Sequence, residues 1–231
     1  MPEIKNTKIS ILVPVFNEEK TIDILLEQVI NQVKDWNAQI IVINDGSTDR
    51  TLQKLQRFLD KIILINLEKN QGKGLAVKEG LKRSTGNIII IQDADLEINP
   101  KEYPKLIKPI IEKKTDVVYG SRILGKNPRK SLIFYLGGKF LTFLANLLYR
   151  VDITDQPTCY KVCRSEILKN MNLESRGFEL CSEITAKLAK KGIKIYEVPI
   201  SYNPRSKAEG KKVGILDGIK AALALIKYKF K

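Results

Sequence analysis

Apolar and polar positions alternate along the first half of the chain with two different periods. Short runs rich in isoleucine and valine predict buried strands, and stretches with an apolar residue every three or four positions predict helices. The predicted strands are residues 9–15, 39–43, 61–67, 88–92 and 116–119, and the predicted helices are residues 21–33, 48–59, 73–83 and 100–113. Strict alternation of strand and helix predicts an α/β fold, with a mostly parallel, Rossmann-like central sheet flanked by helices.

The pattern changes after residue 122. The second half is predicted to contain an apolar zone at 132–149, a short strand at 158–162, a helix at 183–191, a strand at 193–200 and a basic helical tail at 210–231. Lys139, Thr142 and Asn146 interrupt the apolar zone at helical spacing, so we expect an amphipathic helix and not a membrane span of about 20 apolar residues. The tail helix either lies in a membrane interface or packs on its own domain with its lysines in water.

Composition narrows the chemistry that is open to this chain. The 231 residues include 40 Lys+Arg, 26 Asp+Glu and no histidine, for a net charge of +14. Such a basic chain is expected to have an anionic partner: nucleic acid, an acidic lipid surface or a phosphorylated substrate. The lack of histidine excludes His-ligated zinc, Ser-His-Asp triads and imidazole bases. With three cysteines and no visible targeting segment, we expect a protein of the reducing cytosol.

Polar clusters follow four of the predicted strands. They occupy residues 14–19, 44–49, 70–74 and 93–95. Each could be an ordinary turn, because Gly, Asn, Asp and Pro are common turn residues. In a parallel sheet, however, the carboxyl ends of the strands share one edge, which is where ligands bind. Four clusters at one edge therefore favour a functional site.

Three acids spaced two apart come directly after a run of four isoleucines. Asp93, Asp95 and Glu97 would stand close together at the end of that strand. Carboxylates gathered in this way need a cation between them, and Mg²⁺ or Mn²⁺ shared with substrate phosphates is one arrangement. An acidic loop or a helix N-terminus is the alternative. The motif alone leaves both interpretations open.

Several segments together resemble the family 2 glycosyltransferases, which have the GT-A fold. The segments that carry this resemblance are residues 13–19, 44–49 and 93–95. Residues 120–122, 154–155, 158–162, 177–179, 202–205 and 209–212 extend it to the polyprenyl-phosphate branch, which includes the dolichyl-phosphate mannose synthases. The resemblance covers essentially the whole chain. It implies one GT-A catalytic domain at 1–231, with a nucleotide-sugar-binding half at 1–122 and an acceptor- and membrane-facing half at 123–231.

The resemblance also implies a role for each matching position. The nucleotide sugar is expected to contact Pro14, Phe16, Glu18, Ile43, Asp45, Asp93, Ala94 and Asp95. The metal, Mg²⁺ or Mn²⁺, is expected at Asp93, Asp95 and Glu97, the donor or acceptor phosphates at Arg122, Arg205 and Lys211, and catalysis at Asp95 and Arg122. Two departures leave the base and the sugar open. Asn44 stands where many relatives have Asp, and residues 136–142 lack an Arg and a Ser that mannose synthases carry there.

The implied reaction is an inverting transfer of a hexose from a nucleotide-diphosphate sugar, of the GDP-mannose or UDP-glucose type, to a polyprenyl or dolichyl phosphate. A phosphate monoester has a second pKa of about 6, so it is largely a dianion already and needs no general base. We expect a peripheral enzyme on the cytoplasmic face of an anionic membrane. It would contact that membrane through a basic turn at 126–130, the apolar zone and the tail, and is compatible with a membrane-protein partner.

Two other functions compete with this one. A family 2 glycosyltransferase could act on a saccharide acceptor in cell-envelope polysaccharide synthesis, with Glu179 or Asp155 as general base. A basic nucleic-acid-binding protein is the more remote alternative. It explains the charge but not the acids at the strand ends, which would repel a phosphate backbone. Only 7% of the residues are aromatic, whereas single-strand binders interleave aromatic and basic residues, so we expect no nucleic-acid partner.

Overall fold

The computed structural model describes residues 2–125, 127–128, 130–206 and 209–231. Lys126 and Arg129, both in the predicted basic turn, lie outside the described residues. The described strands are β1 (Ile9–Val15), β2 (Ala38–Asp45), β3 (Ile63–Leu67), β4 (Ile88–Ile91), β5 (Val117–Ser121), β6 (Lys161–Arg164) and β7 (Tyr196–Pro199). The described helices are α1 (Pro2–Asn6), α2 (Ile22–Val33), α3 (Thr51–Leu55), α4 (Lys73–Arg83), α5 (Tyr103–Ile111), α6 (Leu132–Tyr149), α7 (Ser165–Lys169), α8 (Leu180–Lys190) and α9 (Ile215–Phe230).

These strands form one sheet in the order β3-β2-β1-β4-β6-β5-β7. The neighbours from β3 to β4 are all parallel, as are β5 and β7, whereas β6 runs antiparallel to β4 and β5. The carboxyl ends of β3, β2, β1 and β4 therefore lie side by side. The predicted α/β class, with a mostly parallel sheet flanked by helices, is confirmed.

The sheet is buried on both faces by helices. Every residue of β1 and β4 is buried, which explains why their sequences are apolar except for Ser10. Ile11 and Val13 belong to the core cluster that includes α2 and α5, and Leu12 belongs to the cluster that includes α4 and α8. Successive side chains of one strand thus fill the two cores in turn.

The second half departs from the predicted elements in its details. Strand β6 begins at Lys161 instead of residue 158. Residues before it are held in a loop, in which the Thr158 hydroxyl donates to the Gly120 carbonyl at 2.6 Å. Helices α1 and α7, of five residues each, were not predicted, because so short a segment shows no helical period.

Helices α6 and α9 pack against each other through one face of each helix. Leu141, Ala145, Ala221 and Leu225 form the buried cluster between them. Their larger apolar side chains point outward and are exposed: Leu132, Ile133, Leu136, Phe140, Phe143 and Leu147 on α6, and Ile215, Leu216, Ile219, Leu223, Ile226 and Phe230 on α9. By length and composition, α6 is the one described helix that could cross a membrane. Its expected role as an amphipathic helix stays a prediction.

Candidate active site

A cavity of about 940 Å³ opens at the carboxyl ends of β1, β2 and β4 and continues to α6 and α9. Its lining includes most of the predicted site residues: Pro14, Phe16, Glu18, Asp45, Asp93, Ala94, Asp95, Glu97, Arg122, Arg205 and Lys211. Ile43 does not belong to this lining. Its side chain is fully buried in the core, where it packs beside Gly80 of α4. The structure therefore does not place the Ile43 side chain where it could contact a nucleotide.

The segments after β1 and β2 are held together by hydrogen bonds. The Asn17 amide N–H donates to Ser47 Oγ at 3.0 Å, and Asn17 Oδ1 accepts the Thr48 N–H at 2.8 Å. Asn17 has a φ of 47°, a left-handed conformation that asparagine tolerates better than most residues. This turn brings the Glu18 carboxylate to the cavity.

Asp45, at the end of β2, organises the turn that follows β3. Its two carboxylate oxygens accept the backbone N–H groups of Gln71 and Gly72, both at 2.8 Å, and Oδ2 also accepts from Asn70 Nδ2 at 3.0 Å. The side chain is almost completely buried. Asp45 therefore shapes the wall of the cavity at the ends of β2 and β3, because it fixes the backbone of residues 70–72.

Asp93, at the end of β4, forms an ion pair with Lys73 at the start of α4. Both side chains are largely buried, at 14% and 10% exposure. Burial alone would lower the pKa of Lys73, but the charge of Asp93 outweighs it and raises that pKa. For Asp93 the sign is reversed: burial favours the neutral acid, and Lys73 outweighs it and lowers the pKa. Asp93 is thus held as a carboxylate.

Asp95 is the least compensated of the three acids. Its Oδ2 lies 3.4 Å from Arg205 Nη2, and its Oδ1 accepts the Glu97 N–H at 3.1 Å. Burial, reinforced by the charges of Asp93 and Glu97, nevertheless raises the pKa of Asp95 to about 7. The carboxylate form of Asp95 would therefore gain from an additional positive charge in the cavity.

Glu97 is already fully engaged by the C-terminal segment. Its Oε1 accepts from the Arg205 N–H at 2.8 Å and from Lys211 Nζ at 3.3 Å, and its Oε2 accepts the Tyr202 hydroxyl at 2.7 Å. These contacts place Arg205 and Lys211 at the acidic end of the cavity, where the sequence predicted phosphate-binding groups. They also direct the Glu97 carboxylate toward that segment.

The predicted metal ligands do not form a single three-carboxylate group in the described part of the chain. Asp93 is paired with Lys73, and Glu97 with Lys211. The donor chemistry still suits a hard divalent cation at Asp95, because Mg²⁺ and Mn²⁺ prefer carboxylate oxygens and need only one or two of them beside phosphate oxygens. The three-residue ligand set stays a prediction, and Asp95 is its best-placed member.

The Glu18 carboxylate ties the C-terminal segment to the start of the chain. Both of its oxygens accept from the Arg205 guanidinium at 3.1 Å, and Oε1 also accepts from Lys212 Nζ at 2.6 Å. Such a two-point contact fixes the plane of the guanidinium. Arg205 consequently bridges Glu18 and Asp95 across the mouth of the cavity.

Arg122, after β5, is paired with Asp155 in three ways. Its backbone N–H, Nε and Nη2 each donate to the Asp155 carboxylate at 2.8 Å. Asp155 is 2% exposed. Burial opposes its charge, but Arg122 outweighs burial and lowers the pKa of Asp155. The guanidinium also lies over the ring of Tyr202, 5.1 Å from its centroid, and faces the cavity in a fixed orientation.

The site contains three side chains that were not among the predicted site residues. Lys73 neutralises Asp93, Tyr202 holds Glu97, and Lys212 reaches Glu18. Lys73 lies in the polar cluster after β3, and the other two lie in segments that carried the family resemblance. Their roles depend on which partner each meets across the sheet edge, which the linear pattern does not specify.

The sequence of this chain is similar to a known protein family and to known proteins. The profile of the family described as Glycosyl transferase family 2 matches residues 10–171. A dolichol-phosphate mannosyltransferase of Pyrococcus furiosus is 30% identical over 215 residues, which are 90% of this chain and 60% of that protein. A UDP-N-acetylglucosamine–dolichyl-phosphate N-acetylglucosaminyltransferase of Methanococcus voltae is 32% identical over 238 residues, with 90% and 91% covered. This chain therefore spans less than two thirds of the Pyrococcus relative but nearly all of the Methanococcus one.

Solved structures share the fold at lower sequence identity. Glucosyl-3-phosphoglycerate synthase from Mycobacterium tuberculosis, in complex with Mn²⁺, uridine diphosphate and phosphoglyceric acid, superposes with a TM-score of 0.76 at 19% identity. The match covers 99% of this chain and 80% of that one. A complex of the same synthase with Mg²⁺ and uridine diphosphate gives a TM-score of 0.75. This likeness confirms the GT-A fold.

Proposed function

The chain belongs to glycosyl transferase family 2, and we propose that it transfers a hexose from a nucleotide-diphosphate sugar to a polyprenyl phosphate, with inversion. One observation carries the proposal. The cavity is continuous from the acids after β4, past Arg122, Arg205 and Lys211, to the apolar side chains of α6 and α9. The acid cluster suits a donor with its metal, and the basic groups suit phosphate. The apolar face suits a lipid chain. The two relatives named for dolichyl phosphate support the acceptor class.

The donor is of the GDP-mannose or UDP-glucose type, and its end of the cavity is built by the N-terminal half of the chain. Pro14, Phe16 and Asp45 would border the nucleoside, and Asp93 and Ala94 would meet the sugar and diphosphate. Asp95 would hold Mg²⁺ or Mn²⁺, with Asp93 and Glu97 nearby. The metal would neutralise the leaving nucleoside diphosphate. Structures of the mycobacterial synthase with Mn²⁺ or Mg²⁺ support this use of a divalent ion.

The acceptor phosphate needs positioning and not deprotonation. Arg122 lowers the pKa of Asp155 and occupies its buried carboxylate, so Asp155 is a weak and poorly accessible general base. Glu179 accepts the Arg176 and Gly177 N–H groups. The two bases considered for a saccharide acceptor are thus engaged in the structure, which favours the phosphate acceptor. Arg122, Arg205 and Lys211 would orient the phosphate oxygen toward the anomeric carbon and stabilise the charge that develops on the diphosphate.

The outward faces of α6 and α9 would lie in the membrane interface. Exposed apolar residues recur on both helices at intervals of three and four, and Lys220, Lys227 and Lys229 of α9 are exposed beside them. Lysines near an anionic bilayer each contribute about 1 kcal/mol of attraction. The enzyme would therefore be peripheral on the cytoplasmic face, with room for a membrane-protein partner.

We also propose one catalytic domain for residues 1–231, with the donor half at 1–122 and the acceptor half at 123–231. Strands β6 and β7 of the second half support this, because they join the same sheet as the first five strands. Strand β6 lies between β4 and β5. Strand β5 of the first half joins the sheet only through its pairing with β6 and β7 of the second half.

Transfer assays on purified protein test the proposed function. Wild-type protein with Mn²⁺ and labelled nucleotide sugars is expected to label polyprenyl phosphate and not free saccharides. Asp95→Asn is expected to lower this transfer by about a hundredfold or more, because it removes the charge that would hold the metal. Asp116→Asn is the matched control, since Asp116 is exposed and pairs with Arg164, the last residue of β6. Equal activity of Asp95→Asn and Asp116→Asn would refute the assignment, and labelling of saccharides alone would favour the competing acceptor.

A further inference from the structure

Glu197 of β7 makes an unusual contact for a strand residue. Its Oε2 accepts the Thr154 N–H at 2.7 Å, and its Oε1 accepts the Asp155 N–H at 3.0 Å. One carboxylate thus holds two consecutive backbone amides of the loop between α6 and β6. Glu197 itself is outside the described lining of the cavity.

This arrangement is costly, because no ion pair described in the structure involves Glu197. Burial raises its pKa above the ordinary value of 4.5, and the charge of Asp155 acts in the same direction. Hydrogen bonds from the two amides only partly offset these effects. Burying a carboxylate without a basic partner costs stability unless hydrogen bonds compensate for the solvation it loses.

The structural effect of this contact is on the orientation of Arg122, which Asp155 holds. The Asp155 side chain, whose own amide Glu197 holds, accepts all three hydrogen bonds that fix Arg122. The neighbouring residues are coupled as well, since the Thr154 and Ser121 hydroxyls lie 2.6 Å apart. Two adjacent residues of the loop therefore meet two adjacent residues at the end of β5.

We propose that Glu197 is a positioning residue that acts through Asp155 to aim the Arg122 guanidinium at the phosphate site. The role rests on the proposed function, because Arg122 matters to transfer only if it binds phosphate. Glu197 touches no substrate in this scheme. It fixes the loop backbone, the loop fixes the Asp155 carboxylate, and the carboxylate fixes the fork of Arg122. Such supporting contacts are what hold a site to the accuracy that catalysis needs.

Glu197→Gln is the direct test, because it keeps the shape of the side chain but leaves one amide without an oxygen acceptor. We expect the kcat/KM for polyprenyl phosphate to fall by about tenfold while the KM for the nucleotide sugar is unchanged. Glu102→Gln is the matched control. Glu102 accepts the N–H and hydroxyl of Ser201, two residues beyond β7, at 3.0 and 2.7 Å, and lies outside the cavity lining. It should keep wild-type kinetics.

A double variant separates positioning from general damage. In an Arg122→Lys background, Glu197→Gln should lower kcat/KM by less than about twofold, because the group through which it acts is gone. A full tenfold loss in that background would overturn the proposal. The proposal would also be overturned if the Glu197→Gln and Glu102→Gln enzymes had the same kinetics.

An NMR measurement decides the same question without the reaction. The Arg122 Nε–H donates to Asp155, so its exchange with water should be about tenfold faster in Glu197→Gln than in wild type or Glu102→Gln. Unchanged exchange would overturn the positioning role. If the exchange is faster in Glu197→Gln but the wild-type enzyme transfers no sugar, the proposed function is refuted and the positioning role stands.

Discussion

Two glycines beside Lys73 allow two backbone segments to touch at the wall of the cavity. A Cβ on Gly74 would lie 2.3 Å from the Ser175 carbonyl oxygen, and one on Gly72 would lie 2.4 Å from that of Arg176. The Gly74 N–H donates to the Arg176 carbonyl at 2.6 Å. The glycines around Lys73 are therefore explained by close packing, and this contact places the Lys73 side chain beside Asp93.

Gly74→Ala should destabilise the protein because the new methyl group meets backbone that cannot move aside cheaply. We expect the free energy of unfolding to fall by about 1–3 kcal/mol, as overpacking usually costs. Gly137→Ala is the matched control, because nothing lies within 4 Å of its Cβ. As a helix-interior change it should raise stability by up to about 1 kcal/mol. Urea unfolding measures both, and a Gly74→Ala midpoint at or above that of wild type would contradict the packing argument.

Individual site residues were predictable where neighbouring residues in the sequence indicate their role. Asp93, Asp95 and Arg122 follow strands directly, and the structure brings them to one cavity. The pairing of Lys73 with Asp93 could not be foreseen, because these residues meet only when the ends of β3 and β4 reach the same edge. Ile43 is a different case, and the nucleotide contact predicted for it stays a prediction. Ile43 lies two residues before Asp45 on the same face of β2, but its side chain is buried beside Gly80 of α4.

At the scale of elements, the four parallel strands β1 to β4 were predicted to within two residues at each end, because runs of apolar β-branched residues are distinctive. Strand β6 was harder. It has four residues, too few to show a period, and the direction of a strand leaves no mark in its composition. Its antiparallel insertion between β4 and β5 is nevertheless what carries Asp155 to Arg122.

Glu183 of α8 links this helix to the segment that packs on Gly74. Its carboxylate makes the stability of the fold depend on pH. Its carboxylate is buried and accepts the Glu174 and Ser175 N–H groups at 2.7 Å and Lys187 Nζ at 2.6 Å. Burial alone would raise its pKa, but these hydrogen bonds outweigh burial and lower the pKa below the ordinary 4.5. The folded state therefore binds this proton less readily than the unfolded chain.

It follows that the stabilisation from Glu183 is fully present above about pH 5 and is lost as the pH falls through the lowered pKa. Glu183→Gln should be less stable than wild type at pH 7, and the difference between the two should shrink toward pH 3. Thermal unfolding between pH 7 and pH 3 measures this. Glu166→Gln, an exposed position on α7, should follow wild type throughout. A difference for Glu183→Gln that stayed constant with pH would contradict the linkage.

At the scale of the whole molecule, the net charge of +14 and an apolar face occur together. The sequence predicted an amphipathic α9 but left open which side faces inward. The structure turns Ala221, Ala224, Leu225 and Tyr228 inward and leaves Leu223 and Ile226 exposed. Ala221 and Ala224 allow α9 to approach α6 and α8 closely, and Leu223 and Ile226 lie on the exposed face of α9. An exposed apolar surface of this kind on a soluble domain usually marks an interaction site.

The membrane contact proposed for this face makes a prediction about the intact protein. Wild-type protein should float with liposomes that contain anionic lipid, and Phe143→Asp combined with Leu223→Asp should weaken that binding by about tenfold or more. Phe143 and Leu223 are 62% and 58% exposed, and each apolar side chain buried in lipid contributes about 1.5–3 kcal/mol. Leu59→Asp is the control, because Leu59 is equally exposed, at 55%, but lies outside α6 and α9. Salt should weaken the lysine contribution and leave the apolar one. Wild-type protein that stays in the soluble fraction, or an equal loss for Leu59→Asp, would show that these helices do not carry the enzyme to its acceptor.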